Sequence, residues 1–295
     1  MKRILCVLLL VCLLFSGCTV AEKSDKLTIV TVSFPGYSFA KEIAGDKAEI
    51  VMLLPLGTEA HDYEPTPKDM MKIQECDIFI YGGGASEHWV EEVLASTDGS
   101  MQKIAMLDCV PHISETHAGH DHDTDEHVWT SPKNAMEIVE RIGSALCKAD
   151  PENKAFYQKN QQEYLDKLSA LDAEYREAFQ DKKAEIVMAD RFPFLYMAWE
   201  YHFSYTAAFP GCAGESEPGA AKVAELIDKV KEKDIKVVYY TEFSNRKVAD
   251  VICEATNAKA LMLHSCHNVS VEDFENGESY LSLMQRNLSN LKEAL

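Results

Sequence analysis

Between residues 132 and 180 the chain runs for nearly fifty residues without a strand pattern, and this stretch constrains the architecture more than any other. It is rich in Ala, Glu, Lys, Leu and Gln, which favour helix. Asp150-Pro151 interrupts it once, where proline suits the first turn of a new helix. From Pro151 to about Asp181, Phe156, Tyr164, Leu168, Leu171, Tyr175 and Phe179 recur at helical spacing. At 1.5 Å per residue such a helix is roughly 45 Å long, enough to run the length of a domain pair. The pattern lasts too few heptads to favour a coiled-coil partner.

On both sides of this segment, short apolar runs alternate with helical patterns. Strands are expected at 27–32, 48–54, 77–81 and 103–107, with helices at 37–44, 67–75 and 86–96. Beyond the long helix, strands are expected at 184–189, 204–209, 235–240 and 259–263, and helices at 194–201, 218–233, 245–256 and 276–295. Buried strands separated by helices imply parallel sheets covered on both faces. The expected fold is therefore α/β: two βα-alternating lobes, at 27–150 and 182–295, joined by one backbone helix at 151–181. No residue-level repeat relates the lobes.

The N-terminus predicts export. Lys2 and Arg3 precede an apolar run too short to span a membrane. The ending Leu14-Phe15-Ser16-Gly17-Cys18 resembles a bacterial lipobox, which makes 1–17 a signal peptide, Cys18 a lipidation site and 18–26 a tether. Removing Lys2 and Arg3 takes the formal charge from −19 to −21. So acidic a surface disfavours nucleic acid and attracts cations. Outside the signal and anchor stand Cys76, Cys109, Cys147, Cys212, Cys253 and Cys266. Six thiols in an exported chain permit up to three disulfides, with free buried thiols as the alternative, particularly for Cys147 and Cys253.

Histidine carries the chemistry. The stretch 111–132 holds five of the ten histidines (His112, His117, His120, His122 and His127) among acidic residues, and is too polar to join a core. Its imidazoles are expected to stay available to metal, with His117, His120 and His122 as an accessory loop. Three histidines follow strands directly or closely: His61 after 48–54, His127 after 103–107 and His264 after 259–263. Open α/β sheets place their ligand sites there, so facing lobes would bring His61 and His127 against His264. Asp190 and Glu242 take the same position after their strands, and His267 adds a further imidazole. Cys266 beside these histidines suggests a thiolate zinc ligand or, preferably in an exported chain, a disulfide with Cys212. Gly82-Gly83-Gly84 lacks the spacing of a dinucleotide fingerprint and reads as a tight βα turn.

Over essentially the whole mature length the chain resembles the metal-binding solute-binding lipoproteins of ABC importers, the ZnuA/TroA-like family. The motifs that carry the resemblance are Gly57-Thr58-Glu59-Ala60-His61-Asp62-Tyr63-Glu64-Pro65-Thr66-Pro67 and Asp125-Glu126-His127-Val128-Trp129-Thr130-Ser131-Pro132, with Asp150-Pro151-Glu152-Asn153 and Glu217-Pro218. The resemblance implies one metal in an inter-lobe cleft, a permease partner and a monomeric carrier held on the outer face of the cytoplasmic membrane or in the periplasm. By it, His61 and His127 match the first two ligands, Ala189 stands at the third, and His264 matches the fourth. Asp190, Glu242, His267, Glu217 or water would complete the shell or support it.

Three imidazoles suit zinc, whereas manganese prefers more oxygen. A manganese carrier and a surface adhesin are the alternatives within the same fold. An exported zinc hydrolase would also use three histidines and a water, but the chain carries no HExxH and no nucleophile elbow, so no enzyme is expected.

Overall fold

The computed structural model describes residues 26–97, 99–113, 124–209 and 218–295. The expected signal peptide, Cys18, the accessory histidines His117, His120 and His122, Cys212 and Glu217 lie outside the described residues. The first sheet contains β1 (Leu27–Thr31), β2 (Ala48–Met52), β3 (Ile78–Tyr81) and β4 (Gln102–Ala105) in the order β2-β1-β3-β4. The second contains β5 (Glu185–Met188), β6 (Ser204–Ala207), β7 (Val237–Tyr240) and β8 (Lys259–Met262) in the order β6-β5-β7-β8. Every pairing is parallel, and the two sheets share one topology despite their unrelated sequences. This is the expected α/β architecture.

The strands read as nearly unbroken apolar runs because both sheet faces are covered. In β1, Ile29 packs into the main core while its neighbour Val30 packs into a second cluster on the opposite face, as the two-residue repeat of a strand requires. The covering helices are α1 (Phe34–Ala44), α2 (Pro67–Glu75) and α3 (Trp89–Ala95) in the first half, then α4 (Pro132–Ala149) and α5 (Lys154–Phe179). The second half adds α6 (Leu195–Tyr201), α7 (Ala220–Glu232), α8 (Lys247–Ala255), α9 (Val271–Glu275) and α10 (Tyr280–Lys292). Helix starts follow local chemistry. Thr66 and Asp69 form a reciprocal capping box with Pro67 at the first turn of α2, and the Ser131 hydroxyl caps α4 ahead of Pro132.

The strand-free segment divides at Asp150, whose carboxylate accepts from the Asn153 N–H and from the Tyr157 hydroxyl (2.6 Å). A short 3-10 turn, Pro151–Asn153, follows, so α5 starts three residues later than the proline alone suggests. Its 26 residues span about 39 Å. Tyr157, Tyr164, Leu168, Leu171, Tyr175 and Phe179 form its buried stripe. The terminal helix expected over 276–295 starts later: Gly277 has φ 76°, and the Ser279–Ser282 capping box starts α10 at Tyr280, while the short α9 precedes the expected range. Among the described residues no helix is long and apolar enough to cross a membrane.

Candidate metal centre

Three loops at the carboxyl ends of parallel strands carry the site. His61 lies in the loop after β2, His127 in the loop between β4 and α4, and His267 in the loop after β8. One nitrogen from each comes within 4.8 Å of the others, the only such His/Cys/Asp/Glu triad among the described residues. The ring centroids are 5.4 Å apart for His61–His127, 5.0 Å for His61–His267 and 5.3 Å for His127–His267. The rings meet nearly edge to face, so each directs a nitrogen at a shared point instead of stacking.

The surroundings prepare these rings to coordinate. Burial and the neighbouring imidazole push the His61 pKa down to about 3. Burial likewise holds His267 well below the ordinary histidine value. Both are therefore neutral at physiological pH, the form that ligates metal. Asp125 sits behind His127, with 3.2 Å between its Oδ1 and Nδ1 of the ring, and the same oxygen accepts the His127 backbone N–H at 2.8 Å. This carboxylate–histidine arrangement fixes the ring and leaves Nε2 for the cleft. Asp125 is held in turn by the Tyr196 hydroxyl, which donates to its carbonyl at 3.1 Å.

The loop carrying His267 is stitched to the first sheet's loops. Trp129 Nε1 donates to the Ser265 carbonyl (2.9 Å), and Asn268 Nδ2 donates to the carbonyls of Pro55 and Thr58 (both 2.8 Å). The Phe34 and Gly57 N–H groups donate to the carbonyls of His267 and Val269. These bonds bring His267 against the histidines of the first sheet.

His264, expected as the ligand from the second sheet, does not join the cluster and does not line the cleft pocket. It lies two residues past β8, and its ring is buried, 1 % exposed. Its Nδ1 accepts the Cys266 N–H at 3.0 Å, and Asn287 clamps its backbone on both sides at 2.7 Å. Cys266 then adopts a left-handed φ of 61°, reversing the chain and presenting His267 instead. The pair of histidines three apart in His264-Ser265-Cys266-His267 was the available signal, but topology alone favours the first.

The other candidates support the site. Glu242 accepts from the Ser265 N–H (2.8 Å) and hydroxyl (2.5 Å), and Ser265 Oγ accepts the His267 N–H (3.1 Å). Glu242 thereby anchors the His267 loop. Asp190 accepts from Thr241 Oγ1 (2.7 Å) and from the Arg191 N–H (2.9 Å), outside the triad. Ala189 is buried at the end of β5 and offers no donor. The expected disulfide to Cys266 is not formed: Cys266 is a free, fully buried thiol whose burial raises its pKa well above the usual range, and it is neither ligand nor cross-link. The triglycine turn serves the site indirectly. Gly83 has φ 91°, and a Cβ on Gly84 would fall 2.3 Å from Glu126, the neighbour of His127.

The cleft pocket around the triad is about 30 Å³, room for one ion or water and no organic molecule. It is lined by Glu59, Ala60, Arg191 and Glu242 as well as the clustered histidines. A two-lobed α/β protein with three converging imidazoles in its cleft is a metal-binding protein in design.

The family follows from comparison. The model of "Zinc-uptake complex component A periplasmic", ZnuA, matches residues 29–294. The chain is 34 % identical to the high-affinity zinc uptake system protein ZnuA of Bacillus subtilis, covering 93 % of this chain and 89 % of that protein. It is also 34 % identical to the zinc-binding lipoprotein AdcA of Streptococcus pneumoniae over 99 % of this chain, and spans 61 % of that longer relative. The solved Zn(II)-bound ZnuA-like domain of that AdcA matches with a TM-score of 0.78 and 34 % identity, covering 91 % of this chain and 98 % of the domain. The chain belongs to the ZnuA family, a family of uptake-system components and not of enzymes.

Proposed function

We propose that this chain is the extracytoplasmic binding component of an ABC importer, capturing zinc between its lobes and delivering it to a membrane permease. The observation that carries it is the convergence of His61, His127 and His267 on a pocket sized for one ion. Three imidazoles form a nitrogen-rich set that suits zinc, while manganese prefers oxygen donors that this triad lacks. The names of the matching relatives, a zinc-uptake protein and a zinc-binding lipoprotein, point the same way. Export with a lipid on Cys18 suits such a role: an anchored monomer stays beside its permease while it samples the external medium. The chain binds and releases its cargo without chemistry, and the carboxylates that line the pocket are engaged elsewhere, Glu242 by Ser265 and Glu59 by Arg191.

The deciding experiment is equilibrium binding by the metal-free protein. One zinc per chain is expected, with manganese bound more weakly. Simultaneous replacement of His61, His127 and His267 by Ala should abolish the tight site. Undiminished one-to-one zinc binding by that triple variant would contradict the proposal.

A further inference from the structure

We propose that the metal is held together with a small carboxylate chelator, which sits at the switch point of the second sheet and completes the coordination shell. The proposal rests on the reading of His61, His127 and His267 as metal ligands.

Zinc takes four ligands, and the triad supplies three. The nearby carboxylates are already committed. Glu242 holds Ser265, Asp190 holds Thr241 and the Arg191 backbone, and Glu59 pairs with Arg191 at 3.1 Å. The ion pocket itself has no room for an organic molecule, but a second cavity of about 780 Å³ adjoins it. The two share Glu59, Arg191, Thr241 and Phe243 as lining. The size falls within the range of small-molecule sites.

Position and chemistry agree. In the order β6-β5-β7-β8 the connections reverse between β5 and β7, and open α/β sheets bind ligands outside the strand ends at such a point. Ala189, Asp190 and Arg191 follow β5, Thr241 and Phe243 follow β7, and all five line the cavity. Ala189 presents only a methyl group to this cavity. Arg191 borders both spaces, and its positive charge disfavours a bare cation beside it. An anionic group between guanidinium and metal turns that repulsion into attraction. One Nη2 bond goes to Glu59, and the planar fork carries further N–H donors in the geometry that a carboxylate accepts. Phe243, Val248 and Ile227 supply an apolar wall for the rest of the molecule.

Equilibrium dialysis of the metal-free full chain tests this, with zinc and either radiolabelled L-histidine or radiolabelled citrate. One equivalent of label per bound zinc, absent without zinc, supports the proposal. Histidine retention identifies an amino-acid source of the carboxylate, and citrate retention a hydroxy-acid source. Arg191→Met should lower label retention at least about tenfold, the loss of a charged hydrogen bond. Should that variant misfold, Arg191→Lys, which keeps the charge and loses the fork, should still weaken retention. One equivalent of zinc with neither label would overturn the proposal and leave the zinc-binding reading intact. Neither zinc nor label would overturn both.

Discussion

The ring of His267 stands at 90° to that of His127 with 5.3 Å between centroids, although different sheets deliver the two. The contact depends on hydrogen bonds that cross between the two halves, chiefly from Trp129 and Asn268. Holding the two rings around one point is what makes the cleft a site.

Replacing His267 should therefore matter more than replacing His264. His267→Ala should weaken zinc binding by at least about 10–100-fold, the scale on which even outer-shell partners act. His264→Ala should cost less affinity, because its ring supports the Cys266 N–H and lies outside the cleft pocket. Competition with a chelating indicator measures both, and equal losses would return His264 to the ligand set.

Asp125→Ala should lower zinc affinity by about 10–100-fold with little loss of fold, since the carboxylate orients His127 from behind. Isothermal titration beside a circular-dichroism melt separates the two effects.

Much of this was legible in advance, and the misses have physical reasons. The eight strands stood out because strands buried on both faces are continuous apolar runs. His61 and His127 could be singled out because each stands between a strand end and the helix start that follows it. His264 and His267 share a loop, and only the left-handed turn at Cys266 decides which reaches the cleft. Cysteine count and export suggested a disulfide, whereas Cys266 packs as a small apolar group in the core.

Gly84→Ala should destabilise the protein by about 1–3 kcal/mol, because the added methyl overlaps the buried Glu126 side chain. Glu126 would have to abandon its bonds from the Ser86 N–H and hydroxyl. Urea denaturation reads the loss. Zinc affinity should also fall, since the displaced side chain neighbours His127.

Glu87 gives a pH signature. Burial raises its pKa from 4.5 to about 7 in the folded protein. The native state then holds a proton that the unfolded state releases between those values. Its contribution to stability is complete below about pH 4.5 and is lost as pH rises through about 7. Glu87→Gln should remove that dependence, gaining about 1–3 kcal/mol over the parent at pH 8 and little at pH 4. Urea melts of both metal-free proteins across that range check it. An unchanged difference between the two at every pH would mean that folding does not raise the Glu87 pKa.

The central claim is that one metal binds between the sheets on three imidazoles. A crystal structure of the zinc-loaded protein, with anomalous data on both sides of the zinc absorption edge, tests it most directly. The account predicts one strong anomalous peak about 2.0–2.1 Å from a ring nitrogen of each of His61, His127 and His267. A peak held by other residues, with these three rings unligated, would contradict it.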